Sequence, residues 1–193
     1  MRGSRALFRD LNFRVEAGRA LVVEGPNGAG KTSLLRLIAG LLAPFGGKVV
    51  LRANGAEITE GEERGKFAGW FGHQDGLKSQ LTARENLSFF AQLYSGRSDV
   101  DAALQWAGLS RAADFPVQYL SAGQKKRLAL ARLKLSGRPL WLLDEPFAAL
   151  DICGKKLVED LISTHCTSGG IAVVATHETL LTDSSKLSLG QSQ

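Results

Sequence analysis

The stretch Ala20-Leu21-Val22-Val23-Glu24-Gly25-Pro26-Asn27-Gly28-Ala29-Gly30-Lys31-Thr32-Ser33 decides the fold. Its first five residues predict a buried strand, and a helix is predicted to follow over Thr32–Gly40. Between them, Gly25–Thr32 fits the pattern G-x-x-x-x-G-K-[ST]. Glycines allow successive backbone N–H groups to approach phosphate oxygens, and the helix N-terminus adds a positive dipole end. The stretch therefore predicts a phosphate-binding loop in an α/β domain.

Two side chains of this loop carry specific chemistry. We expect Lys31 to place its charge on the β- and γ-phosphates of ATP and the Thr32 hydroxyl to ligate Mg²⁺. A chance glycine turn is the alternative, but the flanking strand and helix favour a nucleotide site. The other residues predicted to bind nucleotide are Gly25, Pro26, Asn27, Gly28, Ala29, Gly30 and Ser33.

Further apolar runs alternate with helical patterns on both sides of this loop. Such alternation predicts a parallel α/β sheet, and an all-helical stretch reaching to about Leu135 predicts an insertion into it. The tail after Lys186 is polar and is expected to fray. The predicted strands are Asn12–Glu16, Lys48–Arg52, Phe67–Gly72, Leu140–Leu143 and Ile171–Ala175, and the predicted inserted helices are Ala83–Tyr94, Val100–Ala107 and Ala122–Leu135.

A second polar element follows the apolar run Leu140–Leu143. Asp144 comes directly after it, where a carboxylate is placed to hold Mg²⁺ from the far side of the phosphates. Glu145 lies one residue later and is predicted to be catalytic, polarising the water that attacks the γ-phosphate. A solvated strand end is the alternative for both acids.

Composition limits the class of protein. With 193 residues, the chain is predicted to be one domain, and its apolar runs are too short to span a bilayer. No leader segment opens the chain, so we expect a cytoplasmic protein whose membrane role requires a partner. The net charge of +5 suits anionic ligands or a membrane surface, although solvated lysines explain it equally well. Cys153 and Cys166 are expected to be reduced thiols.

Leu120-Ser121-Ala122-Gly123-Gln124 resembles the signature motif of ATP-binding-cassette (ABC) ATPases. The phosphate loop, Gln74, this signature, Asp144-Glu145, Ala149-Leu150-Asp151 and His177 occur in the order of that family. The resemblance implies a P-loop NTPase (RecA-like) parallel sheet core with an antiparallel β edge and an inserted helical subdomain. It places the nucleotide-binding core in residues 1–74 and 137–193 of a single domain, 1–193, and the helical subdomain in residues 75–136.

The resemblance also implies roles for single residues. Ser121 and the Gly123 backbone, with Ala122 and Gln124 of the same motif, would contact the γ-phosphate held by a second copy, so the active form is a homodimer. Gln74 resembles the residue that contacts Mg²⁺ and senses the γ-phosphate. Asp151 resembles the residue at the dimer seam, and His177 the histidine that orients the γ-phosphate and the attacking water. His73 and His165 match no motif and are expected to be structural.

A narrower resemblance is to the ATP-binding subunits of the haem exporter of cytochrome c maturation. It rests on the segments 28–36, 72–78, 81–87, 116–124 and 140–151. It implies haem export, an integral membrane permease from the same system, no nucleic acid partner, and attachment at the cytoplasmic face of the inner membrane. Gln74–Tyr94 would be the coupling surface; Phe89, Phe90 and Tyr94 either offer apolar area there or form the core of the helical insertion.

The chain departs from the family pattern before the phosphate loop. The first strand and the aromatic residue that stacks on adenine are missing, and that register falls on Arg2. Either Arg2 stacks on the base by a cation–π contact, or the true start lies upstream, which we favour. The basic run Lys125-Lys126-Arg127 is either a solvated face or a group that stabilises the closed dimer.

The chain is expected to be the ATPase of this exporter or of another small ABC exporter. Two other functional classes are alternatives. A soluble cassette acting on DNA or ribosomes usually has two cassettes or long inserts, which 193 residues do not accommodate. A nucleotide-gated module without turnover would not need both Glu145 and His177.

Overall fold

The computed structural model describes residues 7–72, 76–94, 99–148, 150–178 and 184–190. The chain forms two compact units. One comprises Met1–Trp70, Arg138–Pro146 and Leu161–Gln193, and the other comprises Phe71–Gly137 and Phe147–Asp160.

The strands are β1 (Ala20–Glu24), β2 (Leu51–Ala53), β3 (Ala56–Ile58), β4 (Ala68–Phe71), β5 (Leu140–Asp144), β6 (Ile171–Ala175) and β7 (Ser184–Ser188). The helices are α1 (Lys31–Ile38), α2 (Gly61–Gly65), α3 (Ala83–Tyr94), α4 (Val100–Trp106), α5 (Ala122–Leu135) and α6 (Ile152–Thr167). The larger sheet has the strand order β4-β5-β6-β1-β7, and the β5–β6, β6–β1 and β1–β7 pairings are parallel.

The sheet core explains the continuous apolar runs. Strands of a parallel sheet are covered on both faces, so β1, β5 and β6 are buried along nearly their whole length. Leu34, Leu35 and Ile38 of α1 pack into the same apolar cluster as Leu21 and Leu142. The carboxyl ends of β5, β6 and β1 therefore lie side by side at one edge of the sheet.

The predicted fold class is confirmed. The strands β2 and β3 form an antiparallel pair with Leu51 opposite Ile58, and α3, α4 and α5 follow one another between β4 and β5. Four elements have the predicted bounds: Ala20–Glu24, Ala83–Tyr94, Ala122–Leu135 and Ile171–Ala175.

Two predictions at the periphery of the sheet are wrong. Asn12–Glu16 is not a strand, because no segment within the described ranges provides a ladder for it. The tail does not fray directly after Lys186: β7 continues to Ser188 in its pairing with β1, and Leu189 N donates to the Glu24 carbonyl at 2.8 Å. Residues 191–193 lie outside the described residues. A strand depends on backbone hydrogen bonds to a partner, so a polar composition did not prevent it.

The helical unit has its own apolar core, in which Leu87 of α3, Leu104 of α4 and Leu128 of α5 are buried. The buried Asn86 amide donates to the carbonyls of Lys78, Leu81 and Thr82 and accepts from Lys78 N at 2.7 Å. It thereby fixes the loop before α3. In the parts of the chain that the structure describes, none of the helices combines the length and apolarity needed to cross a bilayer.

Candidate nucleotide site

The phosphate loop joins β1 to α1 in a conformation that requires glycine. Gly30 is the N-cap of α1 with φ of 101°, in the left-handed region. At Gly25, a Cβ atom would lie 2.5 Å from the Leu189 carbonyl oxygen, which follows β7. The last described residues of the chain therefore pack directly against the start of the loop.

Lys31 is the charged group at the centre of the loop. Its side chain is buried, with 7% of the residue exposed. The ammonium Nζ donates to the carbonyl of Gly25 at 2.7 Å and to that of Pro26 at 3.5 Å, and it lies 3.1 Å from His177 Nε2. These contacts hold the cation at the point where the loop turns into α1.

Thr32 and Asp144 meet across the edge of the sheet. The Thr32 hydroxyl donates to Asp144 Oδ2 at 2.7 Å. Thr32 is the second residue of α1 and Asp144 is the last residue of β5, so the fold unites two of the three predicted Mg²⁺ ligands. The third, Gln74, lies outside the described residues. A hydroxyl and a carboxylate oxygen are the kinds of ligand that Mg²⁺ takes.

Glu145 and His177 follow the adjacent strands β5 and β6, and their side chains face each other. Glu145 Oε1 lies 3.4 Å from His177 Nε2, and the two side chains are 38% and 53% exposed, so water reaches both. Glu145 N donates to the carbonyl of Ala175, and φ of Glu145 is 49°, a left-handed conformation that is uncommon outside glycine. His177 Nε2 is also 3.3 Å from Asn27 Oδ1.

The signature lies in the helical unit at the start of α5. Ser121 is the N-cap, and it forms a capping box with Gln124: Ser121 Oγ accepts from Gln124 N, and Gln124 Oε1 accepts from Ser121 N. The Ser121 hydroxyl keeps its own hydrogen to donate. The N–H groups of Ala122 and Gly123 lie in the first turn, where the helix offers no carbonyl partner. The Gln124 side chain is already used by the helix.

Asp151 caps another helix. Its carboxylate Oδ1 accepts from Gly154 N at 2.7 Å at the start of α6. A helix-capping role is thus visible for a residue that the resemblance assigns to a dimer seam. Gln74, His73, Ala149 and Arg2 lie outside the described residues.

The three aromatic residues of α3 have different environments. Phe90 is buried and its ring packs edge-on against Phe89, which is 48% exposed, while Tyr94 stacks on Phe90. Phe90 is therefore core and Phe89 is surface. Exposed apolar residues that the sequence did not single out include Leu93, Phe115 and Tyr119. Whether an apolar side chain lies at the surface depends on tertiary packing.

His165 and Phe8 show what sequence patterns missed around the sheet. The His165 ring stacks on Trp141 with centroids 3.7 Å apart, and burial lowers the pKa of this imidazole. Its structural character agrees with expectation, but no pattern indicated Trp141. The Phe8 ring lies against the phosphate loop, 3.2 Å from where a Gly30 Cβ would stand.

Comparison with known proteins finds a family model and relatives that cover most of the chain. Residues 8–148 match the family model described as ABC transporter. The cytochrome c biogenesis ATP-binding export protein CcmA of Bradyrhizobium diazoefficiens is 46% identical over 191 residues, covering 98% of this chain and 94% of that protein. The protein of the same name from Hyphomonas neptunium is 42% identical, covering 92% of this chain and 86% of the relative.

Solved structures share the fold. A dimeric, post-hydrolysis structure of the ATP-binding cassette MJ0796 with ADP and Pi has a TM-score of 0.76 and 27% identity, covering 89% of this chain and 80% of that one. The structure of an ATP-binding subunit of an ABC transporter has a TM-score of 0.78 and 25% identity, covering 91% of this chain and 75% of that one.

Proposed function

The chain belongs to the ABC transporter family of ATPases, and from this premise we propose that it is the ATP-hydrolysing subunit of the haem exporter of cytochrome c biogenesis. Relatives more than 40% identical over nearly its whole length are named as ATP-binding export proteins of cytochrome c biogenesis. The observation that carries the ATPase chemistry is the meeting of Lys31, Glu145 and His177 beside the Thr32–Asp144 pair.

The loop binds the triphosphate. Lys31 has three N–H donors, and its contacts with two loop carbonyls hold the ammonium where β- and γ-phosphate oxygens are recognised. Apart from Pro26, which has no N–H, the residues of Gly25–Ser33 supply neutral backbone donors to the same anion, and the N-terminus of α1 adds its positive dipole end. Binding therefore depends on loop backbone geometry as much as on charge.

Thr32 and Asp144 fit a Mg²⁺ ion that accompanies ATP. The two oxygens are 2.7 Å apart, one from a hydroxyl and one from a carboxylate, and the phosphates provide further oxygen ligands. When bound, the ion offsets the negative charge that develops between the β- and γ-phosphates. Thr32 and Asp144 hold each other in place from α1 and β5, so the ligands are preorganised.

Glu145 is the general base in this proposal. Its carboxylate is accessible to water, and the Ala175 carbonyl fixes its backbone by accepting from Glu145 N. The left-handed conformation of Glu145 is a local strain of the kind found at catalytic residues. His177, within reach of Lys31, Asn27 and Glu145, orients the γ-phosphate and the water beside the base.

A second copy of the chain completes the site. Ser121 and the Gly123 N–H lie at the start of a 14-residue helix, where an incoming γ-phosphate meets first-turn donors and a positive dipole end. One solved relative is a dimer with ADP and Pi. We place Asp151 at the seam of a homodimer, where its capping of α6 gives it a defined position.

The membrane partner is an integral permease of the cytochrome c maturation system, and the chain acts at the cytoplasmic face of the inner membrane. Exposed Phe89 and Leu93, four residues apart on α3, form an apolar strip suited to a partner helix. The Phe115 side chain is also exposed, and its carbonyl accepts from Ala83 N at the start of α3.

Hydrolysis is tested with Glu145→Gln. We expect turnover to fall by roughly 10²–10⁴-fold because the base is removed, while ATP binding persists through the loop. Phosphate release and equilibrium ATP binding are measured side by side. Glu62→Gln, an exposed glutamate on α2, is the matched control and is expected to turn over at the parental rate. Parental turnover by Glu145→Gln would reject Glu145 as the base.

The export assignment has a separate test. We expect the chain, expressed in a bacterium lacking its own ATPase of this system, to restore covalent haem attachment to c-type cytochromes. Lys31→Met, which loses the phosphate-binding charge, is expected not to restore it. Failure of the parental chain at normal expression and with intact ATPase activity would assign the ATPase to another transporter.

A further inference from the structure

Lys126 of α5 makes two contacts that the hydrolysis scheme does not use. Its ammonium donates to the carbonyl of Ala148 at 2.6 Å and lies 5.6 Å from the centroid of the Phe71 ring. Phe71 is the last residue of β4, and Ala148 follows Glu145 by three residues. One side chain thus joins the signature helix to two segments that lead to or from predicted site residues.

Three of the basic residues of α5 lie near the N-terminus of the helix, a position that is unfavourable for cations. Residues 125–127 lie near the N-terminus of α5, where the helix dipole disfavours positive charge, and the first turn has no acidic residue. Each of the three nevertheless donates to a carbonyl: Lys125 to Gln118 at 3.4 Å, Lys126 to Ala148, and Arg127 to Ala107 at 3.0 Å. Each of these three side chains is therefore directed to a backbone carbonyl of its own chain.

The hydrogen bond of Lys126 differs from those of Lys125 and Arg127 in the segment that contains the acceptor carbonyl. Gln118 and Ala107 belong to the helical stretch that precedes α5, whereas Ala148 belongs to the connection from β5 to α6. That connection starts at Glu145, turns at Phe147 with Leu150 N donating to the Phe147 carbonyl, and ends at Asp151. It is the segment through which the base and the seam residue are linked.

We propose that Lys126 is a positioning residue for ATP hydrolysis, which clamps the backbone at Ala148 to the signature helix. The buried Phe147 ring and the Asp151 cap fix the segment on either side, and the Lys126 ammonium adds a charge-assisted hydrogen bond between them. A shift of α5 that moves Ser121 and Gly123 then also moves the chain between Glu145 and Asp151. This inference rests on the proposed ATPase function and extends it.

Three variants of the full-length chain distinguish loss of the hydrogen bond between Lys126 and Ala148 from a general charge effect and from a loss of stability. Lys126→Met keeps most of the unbranched side chain but removes the donor, and Lys126→Arg keeps a donor and a cation. Lys125→Met removes an adjacent cation of the same helix. For each, kcat, KM for ATP, equilibrium ATP binding and the thermal unfolding midpoint are measured.

We expect Lys126→Met to lower kcat by roughly tenfold, about 1.4 kcal/mol, with ATP affinity within about twofold of the parent. The clamp does not touch the phosphate loop, so the loss falls on kcat rather than on binding. Lys126→Arg should recover at least about a third of the lost rate, and Lys125→Met should match the parent.

Three results would overturn the proposal: a parental kcat for Lys126→Met, an equal loss in Lys125→Met, or a loss that accompanies unfolding more than about 10 °C below the parent. The last two would mean a general charge effect or a destabilised fold. A parental chain without ATP turnover would reject the proposed function and this inference together, whereas parental turnover with an unaffected Lys126→Met rejects the inference alone.

Discussion

Gly25→Ala probes how Leu189, which follows β7, supports the phosphate loop. The added Cβ would stand 2.5 Å from the Leu189 carbonyl oxygen, whereas ordinary contact begins at 3.4 Å, so the two backbones must separate by about 0.9 Å, the difference between those distances. Leu189 resists the movement because its side chain is buried and its N–H donates to the Glu24 carbonyl at 2.8 Å. The φ of 151° at Gly25 adds backbone strain for alanine.

This displacement would move the Gly25 carbonyl, which binds the Lys31 ammonium. The Gly25 carbonyl accepts from Lys31 Nζ at 2.7 Å, so a shift of this size moves the ammonium and the loop amides away from the phosphates. A misplacement of about 1 Å at a reacting geometry costs on the order of 100-fold in rate. We therefore expect kcat/KM for ATP to fall about 100-fold, equivalent to about 2.7 kcal/mol.

Steady-state phosphate release against ATP concentration measures this effect. Gly46→Ala is the matched control, since a Cβ there meets no atom within 4 Å and its backbone is not in the left-handed region. We expect the control to keep the parental kcat/KM. A Gly25→Ala variant within about threefold of the parent would refute the view that Leu189 sets the position of the loop.

Four other predictions concern stability. Arg64 is buried and donates to the carbonyls of four residues, so Arg64→Gln should lose about 3 kcal/mol and lower the melting temperature by roughly 6–12 °C in calorimetry. Asn86→Leu leaves both backbone groups of Lys78 without their amide partner and should cost about 2–4 kcal/mol in denaturant unfolding. Burial lowers the pKa of His165, so below about pH 6.5 the unfolded chain binds more protons than the folded one. The contribution of the buried neutral His165 to the free energy of unfolding should therefore be full above that pH and fall as the solution becomes more acidic. In Gly170→Ala the new Cβ would stand 2.3 Å from the His165 ring; displacing it should cost about 1–2 kcal/mol and weaken this acid dependence, as urea titrations at several pH values would reveal.

The phosphate loop, with the strand β1 before it and the helix α1 after it, was predictable because its conformation depends on residues close in sequence. Gly25 and Gly30 are demanded by backbone conformation and close approach, and β1 is a five-residue apolar run that ends where the glycines begin. The bounds of α5 follow from the Ser121 to Gln124 capping spacing and the apolar residues behind it. Such features do not depend on distant parts of the chain.

The wrong predictions involve strands, whose existence depends on a partner. Asn12–Glu16 alternates in the manner of a strand but pairs with no described segment, while Ser184–Ser188 is mostly exposed and polar and nevertheless forms β7 against β1. Periodicity describes which face of a segment is buried. It does not say whether an edge of the sheet is free to receive that segment.

Residue types located the chemistry of the site, but backbone carbonyls set its geometry. Glu145 is held through the Ala175 carbonyl, Gly25 lies against the Leu189 carbonyl, and Lys126 binds the Ala148 carbonyl. Every residue has a carbonyl, so no sequence pattern distinguishes these three from the rest. Substituting Ala175, Leu189 or Ala148 would leave each acceptor in place. The contacts at Leu189 and Ala148 are therefore accessible to mutation only from the other side, at Gly25 and Lys126. The contact between Glu145 and Ala175 joins two backbones, so Glu145→Gln leaves it in place and tests the carboxylate alone.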